Sequence, residues 1–284
     1  MFHALAALAT WQATAGQRFD LLVQVGDMGA FPDPARTDAS TQRYLEVDPS
    51  EADFSNLLRA QGRRAENIRR LRQQLAGPVH FVRGNHEDFG WLRDLPVDQD
   101  SKTARIDPFD ALRYAPDGTV LEVDGLRLAF LGGVEELPGE PAIDRNAYRS
   151  LMDMGPASFD VLVTHQGPYG ISTGYYGNVL GSQLITALVE RTRPAFHVAG
   201  HVHLSIGPRA YGRTTYLNLA SLVASARWDP DARGLLPGCL GILDTRAGTL
   251  EPVVEPWLAA FPTAFDAPFD FDTWCDSFLD AVRM

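Results

Sequence analysis

Cysteine is scarce in this chain, with two in 284 residues, and neither Cys239 nor Cys275 belongs to a C-x-x-C pair. A dense disulfide framework is thereby excluded, and a reducing, cytoplasmic setting is the default expectation. No apolar run approaches the roughly 18 residues that suggest a membrane span, and the first residues lack the basic-then-apolar order of a secretory leader. Basic side chains are outnumbered as well: 25 Lys and Arg against 36 Asp and Glu leave a formal charge of -11 and a pI near 5.0. Bulk attraction to a polyanion is a poor account of such a chain, so an anionic ligand would need a local cationic pocket or a bound metal. What is present is a 45% hydrophobic content, enough for the core of one large domain. With no internal repeat and no linker that demands a second unit, residues 1 to 284 are read as a single domain. It carries a polar insertion at about 28–54 and an acidic, aromatic tail at about 261–284.

Taken in order, Phe2, Leu5, Leu8 and Trp11 recur at helical spacing and predict a helix over 2–14, with His3 on its other, solvated side. A buried strand follows over 20–25. The stretch 28–54 is too long for a structureless connection and is read as a functional insertion or flap. Residues 55–75 predict one helix bearing Arg59, Arg63, Arg64, Arg69, Arg70 and Arg72, either a solvated face or a phosphate-contacting one. Gly77-Pro78 ends it before a strand to Val82 and a short helix through Leu95. Asp117-Gly118 and Asp124-Gly125 punctuate alternating runs and suggest a hairpin leading into a strand over 126–131. Then come a helix over 145–154, a strand over 159–164, a polar loop over 166–180, a helix over 182–193 and a strand over 195–199. Strands over 214–219, 239–243 and 250–254 and a terminal helix over 273–282 complete the reading.

Four of the strand-like runs stop at a possible ligand: Gly26-Asp27, Gly84-Asn85-His86-Glu87-Asp88, Thr164-His165 and Gly200-His201-Val202-His203. In an α/β sheet such residues gather at the carboxyl ends of the strands, where a crevice forms. Singly, each has a dull explanation in a turn or a hydrogen-bonded core position, and His80 and His197, inside strands, keep that explanation. Jointly, four strand ends carrying amide, imidazole and carboxylate groups point to a metal-and-phosphate site.

That ordered series resembles the calcineurin-like metallophosphoesterase superfamily over roughly residues 1 to 225. Asn218-Leu219-Ala220-Ser221 is similar to the family's Asn-x-x-Ser segment. The resemblance implies an α/β (α+β sandwich) fold in four layers, αββα, with two mixed sheets between helices and a two-metal site at one edge. It implies that Asp27 bridges the metals, that Asn85, His165 and His201 complete one, that His203 binds the other, and that His86 stands near the leaving group. Carboxylate, amide and imidazole donors suit Mn, Fe or Zn. Two such cations about 3.5 to 4 Å apart activate water and hold both oxygens of an in-line displacement.

The family's first motif, Asp-x-His-Gly after an opening strand, has no counterpart, because Met1-Phe2-His3-Ala4-Leu5 already reads as the helix that follows it. The expectation is that the natural polypeptide starts upstream, with Met1 an internal or misassigned initiator and the first strand missing. A 284-residue form would leave backbone groups unpaired beside the absent strand, hold at most one tight metal and hydrolyse weakly. Within the family, a small phosphodiester or nucleotide is the favoured phosphate-ester substrate. Arg83-Gly84-Asn85-His86-Glu87 is similar to the protein Ser/Thr phosphatases, but their Gly-Asp-x-x-Asp-Arg-Gly block is not matched at Gly26-Asp27-Met28-Gly29-Ala30-Phe31. The alternatives are a nucleic-acid phosphodiesterase resembling RNA lariat-debranching enzymes and a degenerate, truncated member that only binds a partner. Membrane is not an expected partner, and the oligomeric state is open.

Overall fold

Phe2, Leu5 and Ala9 form one buried stripe along α1 (Phe2–Ala15), which Gly16 ends in a left-handed turn of φ 63. In the computed structural model of the protein, residues 46–47, 171, 174–176, 223–233, 264–268 and 283–284 lie outside the described set. The other side of α1 is exposed at Thr14 but covered at its start, which corrects the expectation for His3. His3, Ala6 and Ala7 are buried, and His3 packs on Phe269 with Nε2 3.0 Å from the Pro262 carbonyl. The cover comes from the far end of the chain, a partner that no local periodicity announces. Part of the acidic, aromatic tail falls outside the described residues.

After β1 (Leu22–Gln24) the polar insertion is ordered where described, around α2 (Ala39–Leu45) and two single-turn helices, Pro34–Arg36 and Pro49–Ala52. The Asp33 and Asp48 carboxylates cap those turns. The single helix expected over 55–75 is two, α3 (Asp53–Leu58) and α4 (Gly62–Gln74), because Gly62 adopts φ 55 at the break. There follow β2 (Val79–Phe81), α5 (Phe89–Arg93), β3 (Ala104–Arg105) and β4 (Leu112–Tyr114). β5 (Val120–Val123) and β6 (Leu126–Leu131) make the expected hairpin, with Asp124 and Gly125 both at positive φ, as a primed turn requires. Next are α6 (Arg145–Met154), β7 (Val161–Thr164), a small hairpin of β8 (Ser172–Thr173) and β9 (Val179–Leu180), α7 (Gln183–Thr192) and β10 (Phe196–Ala199). β11 (Ile206–Tyr211), β12 (Thr214–Asn218), the hairpin of β13 (Gly241–Asp244) and β14 (Thr249–Pro252), and α8 (Phe271–Val282) end the chain.

Two mixed sheets result, one ordered β1-β2-β4-β3 and the other β11-β12-β10-β7-β6-β5. Alternation along the strands sorts side chains between the layers. Leu128 and Phe130 of β6, with Val161 and Val163 of β7, fill the space between the sheets alongside Val25, Val82 and Val198. Ala129, Leu131 and Leu162 point the other way, against Leu151 of α6 and Ile185 and Leu188 of α7. On the opposite flank Leu22, Phe81 and Leu112 pack under Leu5, Ile68, Leu71 and Phe271 of α1, α4 and α8. Each such fully buried side chain contributes about 1.5–3 kcal/mol. The architecture is therefore the expected helix–sheet–sheet–helix sandwich.

The arginines of the 55–75 region are largely committed inside this frame. Arg63 and Arg64 bond Asp276 and Asp272 of α8, Arg70 lies 3.6 Å from Asp276, and Arg72 donates to the Asp110 carbonyl. The Arg63, Arg64 and Arg70 pairs are partly exposed and individually weak, but they tie α4 to α8, while Arg72 holds the turn before β4, so these four are engaged by protein partners.

Candidate metal centre

β1 and β2 run parallel in the first sheet, and β7 and β10 run parallel in the second, so each pair delivers its carboxyl ends to one side. Asp27 follows β1, Asn85 follows β2, His165 follows β7 and His201 follows β10, and the structure brings these four together. The decisive geometry is at His165, which is buried. Its Nδ1 lies 2.8 Å from the Val25 carbonyl, an acceptor, so Nδ1 donates there and Nε2 is the ring nitrogen turned toward the site. That Nε2 is 3.1 Å from Asn85 Oδ1 and 3.4 Å from Asp27 Oδ2. A carboxylate oxygen, an amide oxygen and an imidazole nitrogen thus converge at one point. Ligand atoms of Asp27, His165 and His201 all lie within 4.8 Å of one another. The donor set fits a divalent Mn, Fe or Zn ion, and the Val25 carbonyl supplies the outer hydrogen bond that orients a metal-bound imidazole.

The backbone around these groups is shaped to hold them. Asp27, His201 and His203 all occupy left-handed conformations, with φ of 55, 67 and 58, a strain that persists only where surrounding structure imposes it. Asp27 Oδ1 accepts the N–H groups of Asn85 and His86 at 2.8 and 3.0 Å. Gly84 is required there, since a Cβ on it would collide with the Asp27 carboxylate and backbone nitrogen, and a Cβ on Gly26 would collide with His165 Nδ1. Gly84→Ala is therefore expected to destabilise the fold by about 1–3 kcal/mol. Thermal unfolding beside wild type measures this, and an unchanged midpoint would contradict it.

Burial, with His165 next in weight, holds the His201 imidazole down to about 4, and burial likewise lowers that of His203. Both rings are thereby neutral near pH 7, the form that binds metal. His203 lines the same cavity as Asp27 and His201 but stands outside the close group of three. His86 lines it too, with Nδ1 2.8 Å from Asp38 Oδ2. Burial depresses the His86 imidazole, but Asp27 and Asp38 outweigh that and leave it raised. Asp38 is itself anchored by the N–H groups of Ser40 and Thr41 and the Thr41 hydroxyl. Sequence reasoning missed Asp38. The available signal was an Asp-Ala-Ser-Thr helix start within the polar insertion, which does not reveal the partner 48 residues away.

Other residues of the motif are structural. Glu87 is buried and accepts the N–H groups of Ala30, Met28 and Gly84, joining the Gly26-Asp27 corner to the Gly84-Asn85 corner. Burial and then Asp27 push its carboxyl up to about 8, and a cation beside Asp27 would offset the second push. Asp88 caps α5 through the Trp91 N–H and pairs with Arg36 at 2.8 Å. Asn218 accepts the Tyr216 hydroxyl and donates to the Leu204 carbonyl, so it pins the loop bearing His201 and His203 to β12. His197 is a core residue, 2.8 Å from the Thr164 hydroxyl and pushed down by burial to about 3. His80 is half-buried within β2, and burial lowers it to about 4.

Comparison with known proteins adds an independent finding. A family model described as calcineurin-like phosphoesterase matches residues 2–205. UPF0046 protein K07C11.7 of Caenorhabditis elegans is 30% identical over 180 residues, 59% of this chain and 60% of its own length. UPF0046 protein C25E10.12 of the same organism is 37% identical over 71 residues, covering 23% of this chain and 25% of its own. The chain thus spans less than two thirds of these relatives' lengths. Among solved structures, TT1561 of Thermus thermophilus aligns over 88% of this chain and 91% of its own, with 16% identity and a TM-score of 0.49.

Proposed function

We propose that this chain, which belongs to the calcineurin-like phosphoesterase family, is a metal-dependent phosphoesterase whose cation sits among Asp27, Asn85, His165 and His201. The observation that carries the reading is the convergence of His165 Nε2 with Asn85 Oδ1 and Asp27 Oδ2, at 3.1 and 3.4 Å. A bound divalent ion supplies Lewis acidity toward a phosphoryl oxygen and a water acidic enough to attack phosphorus. Asp27 contributes the negative charge that lets a cation settle, and His203, on the same cavity but outside the close group, would ligate only a second, weakly held one. His86, oriented by Asp38, holds a proton on the same cavity for the leaving oxygen.

A small phosphodiester or nucleotide is the substrate class this reading favours. A nucleic-acid substrate is less well supported, because Arg63, Arg64 and Arg70 are engaged by acidic side chains of α8 and the formal charge is -11. The cytoplasm is the favoured compartment: Cys239 and Cys275 are both buried free thiols. Among the described residues no helix is long and apolar enough to cross a membrane.

Release of nitrophenol from bis-(p-nitrophenyl) phosphate with added Mn tests the reading. Asn85→Ala is expected to lower the rate by at least about 10- to 100-fold, because removing a direct ligand costs no less than removing the outer groups that orient one. Equal rates for wild type and variant would remove the case for the site. The monoester analogue in the same assay reports which ester class is preferred.

A further inference from the structure

Helix α2 (Ala39–Leu45) begins beside His86. Asp38 caps it, accepting the Ser40 and Thr41 N–H groups on Oδ1, and turns Oδ2 to His86 Nδ1 at 2.8 Å. The residues of α2 that line the cavity of the metal centre are Ser40, Thr41 and Tyr44. Residues three and four apart are neighbours on a helix surface, so these three form one face, and it looks onto the site. Thr41 is buried on that face, whereas Tyr44 is 40% exposed. The Tyr44 hydroxyl has no hydrogen-bond partner among the described residues, and its ring meets no other ring there. Long side chains on a helix lean toward its N-terminus and cover the preceding turn. The Tyr44 ring therefore leans over Ser40 and Thr41, which puts it within about one turn, ~5.4 Å along the axis, of the carboxylate that orients His86. An aromatic face in that position meets whatever is attached to the leaving oxygen.

The neighbouring wall selects the charge of that group. The single-turn helix Pro49–Ala52 packs against α2, and Asp48 and Glu51 line the cavity there. Burial and then Asp48 raise the Glu51 carboxyl to about 7, so a further phosphate or carboxylate beside them is repelled. Hydroxyl and amino groups, by contrast, find acceptors in these two side chains.

We propose that Tyr44 is the stacking surface for the leaving group and selects a flat, uncharged one, a nucleoside joined to the scissile phosphate through its ribose. The assignment rests on the phosphoesterase reading and on His86 facing the leaving oxygen. Every base has a face that stacks on an aromatic ring. Tyr44 thus favours a nucleoside over an aliphatic alcohol without choosing among the bases.

Calorimetric titration of the Mn-loaded full chain tests this with two probes that have no leaving oxygen. One is methylphosphonate, and the other is the phosphonate analogue of AMP in which CH2 replaces the 5′ ester oxygen. Both offer the same anion to the metal, so the ratio of their dissociation constants reads the nucleoside alone. The wild type is expected to bind the nucleoside phosphonate about 5- to 100-fold more tightly, the worth of stacking one base. Tyr44→Leu is expected to bring the ratio close to one and Tyr44→Phe to keep it, with Mn and methylphosphonate affinities at wild-type values in both. A 3′-phosphate added to the nucleoside probe is expected to weaken its binding. A wild-type ratio near one, an unchanged ratio in Tyr44→Leu, an equal loss in Tyr44→Phe, or tighter binding of the 3′-phosphorylated probe overturns the proposal. Mn-dependent methylphosphonate binding that persists beside any of these leaves the metal centre standing. Its absence from the wild type sinks the phosphoesterase reading and the stacking role together.

Discussion

Asp27→Asn is expected to abolish tight Mn binding and to lower phosphodiester hydrolysis on the order of 10³-fold, while the protein still folds. The substitution keeps an oxygen where Asp27 Oδ1 accepts the Asn85 and His86 N–H groups, so the corner stays pinned. It removes the negative charge that faces His165 at 3.4 Å and with it the main electrostatic reason for a cation to settle there. The expected loss follows from removing a charge-stabilising group at the reacting centre, which costs about 10² to 10³ for a single donor and more when metal is lost too. Calorimetric Mn titration, hydrolysis rates and thermal unfolding separate the effects. Asp27→Ala is the harsher variant, because it leaves two backbone N–H groups without their acceptor, at about 1–3 kcal/mol each. Wild-type Mn affinity in Asp27→Asn would contradict the assignment.

His86→Ala is expected to lower kcat by about two to four powers of ten, the usual worth of a positioned proton donor, with Mn affinity unchanged. The loss is expected to be large for alkyl esters, whose leaving oxygen needs a proton, and small for nitrophenyl esters, whose leaving group does not. Asp38→Asn is the milder companion. Burial lowers the His86 imidazole while Asp27 and Asp38 raise it above its ordinary value, and a cation bound at Asp27 cancels that residue's share and leaves Asp38's. An acid with a raised pKa is active below that pKa and lost as pH rises through it. Removing the Asp38 charge is therefore expected to move the alkaline limb of the rate profile to lower pH. An unmoved limb, or equal losses on both ester types, would show that His86 does not donate the proton.

The parts of the fold legible in the sequence are those whose signal is local. β1, β2, β7 and β10 are apolar runs cut off by glycine or histidine, and their ligands sit at the strand ends, so ordered spacing reports both the strands and the corner they build. Capping also reads locally: Ser182 caps α7 through the Ile185 N–H, and Arg193 ends it in a left-handed turn. What stayed hidden depends on distant partners. β3 and β4 are short and exist through their pairing with each other and with β2. β11 carries Pro208 and survives as an edge strand beside β12. His3 is buried by residues near the other end of the chain, and Arg63 and Arg64 meet aspartates more than 200 positions away. The pairing of Asp38 with His86 belongs to the same class, since a polar insertion conveys no hint of what it folds against.

The most direct measurement is anomalous X-ray scattering from crystals of the 284-residue protein equilibrated with Mn. The expected result is a peak bounded by Asp27 Oδ2, Asn85 Oδ1, His165 Nε2 and His201, with His165 Nδ1 still donating to the Val25 carbonyl. A map with no peak there at saturating Mn, or with the ion bound at surface carboxylates alone, would contradict the metal centre and the phosphoesterase function drawn from it.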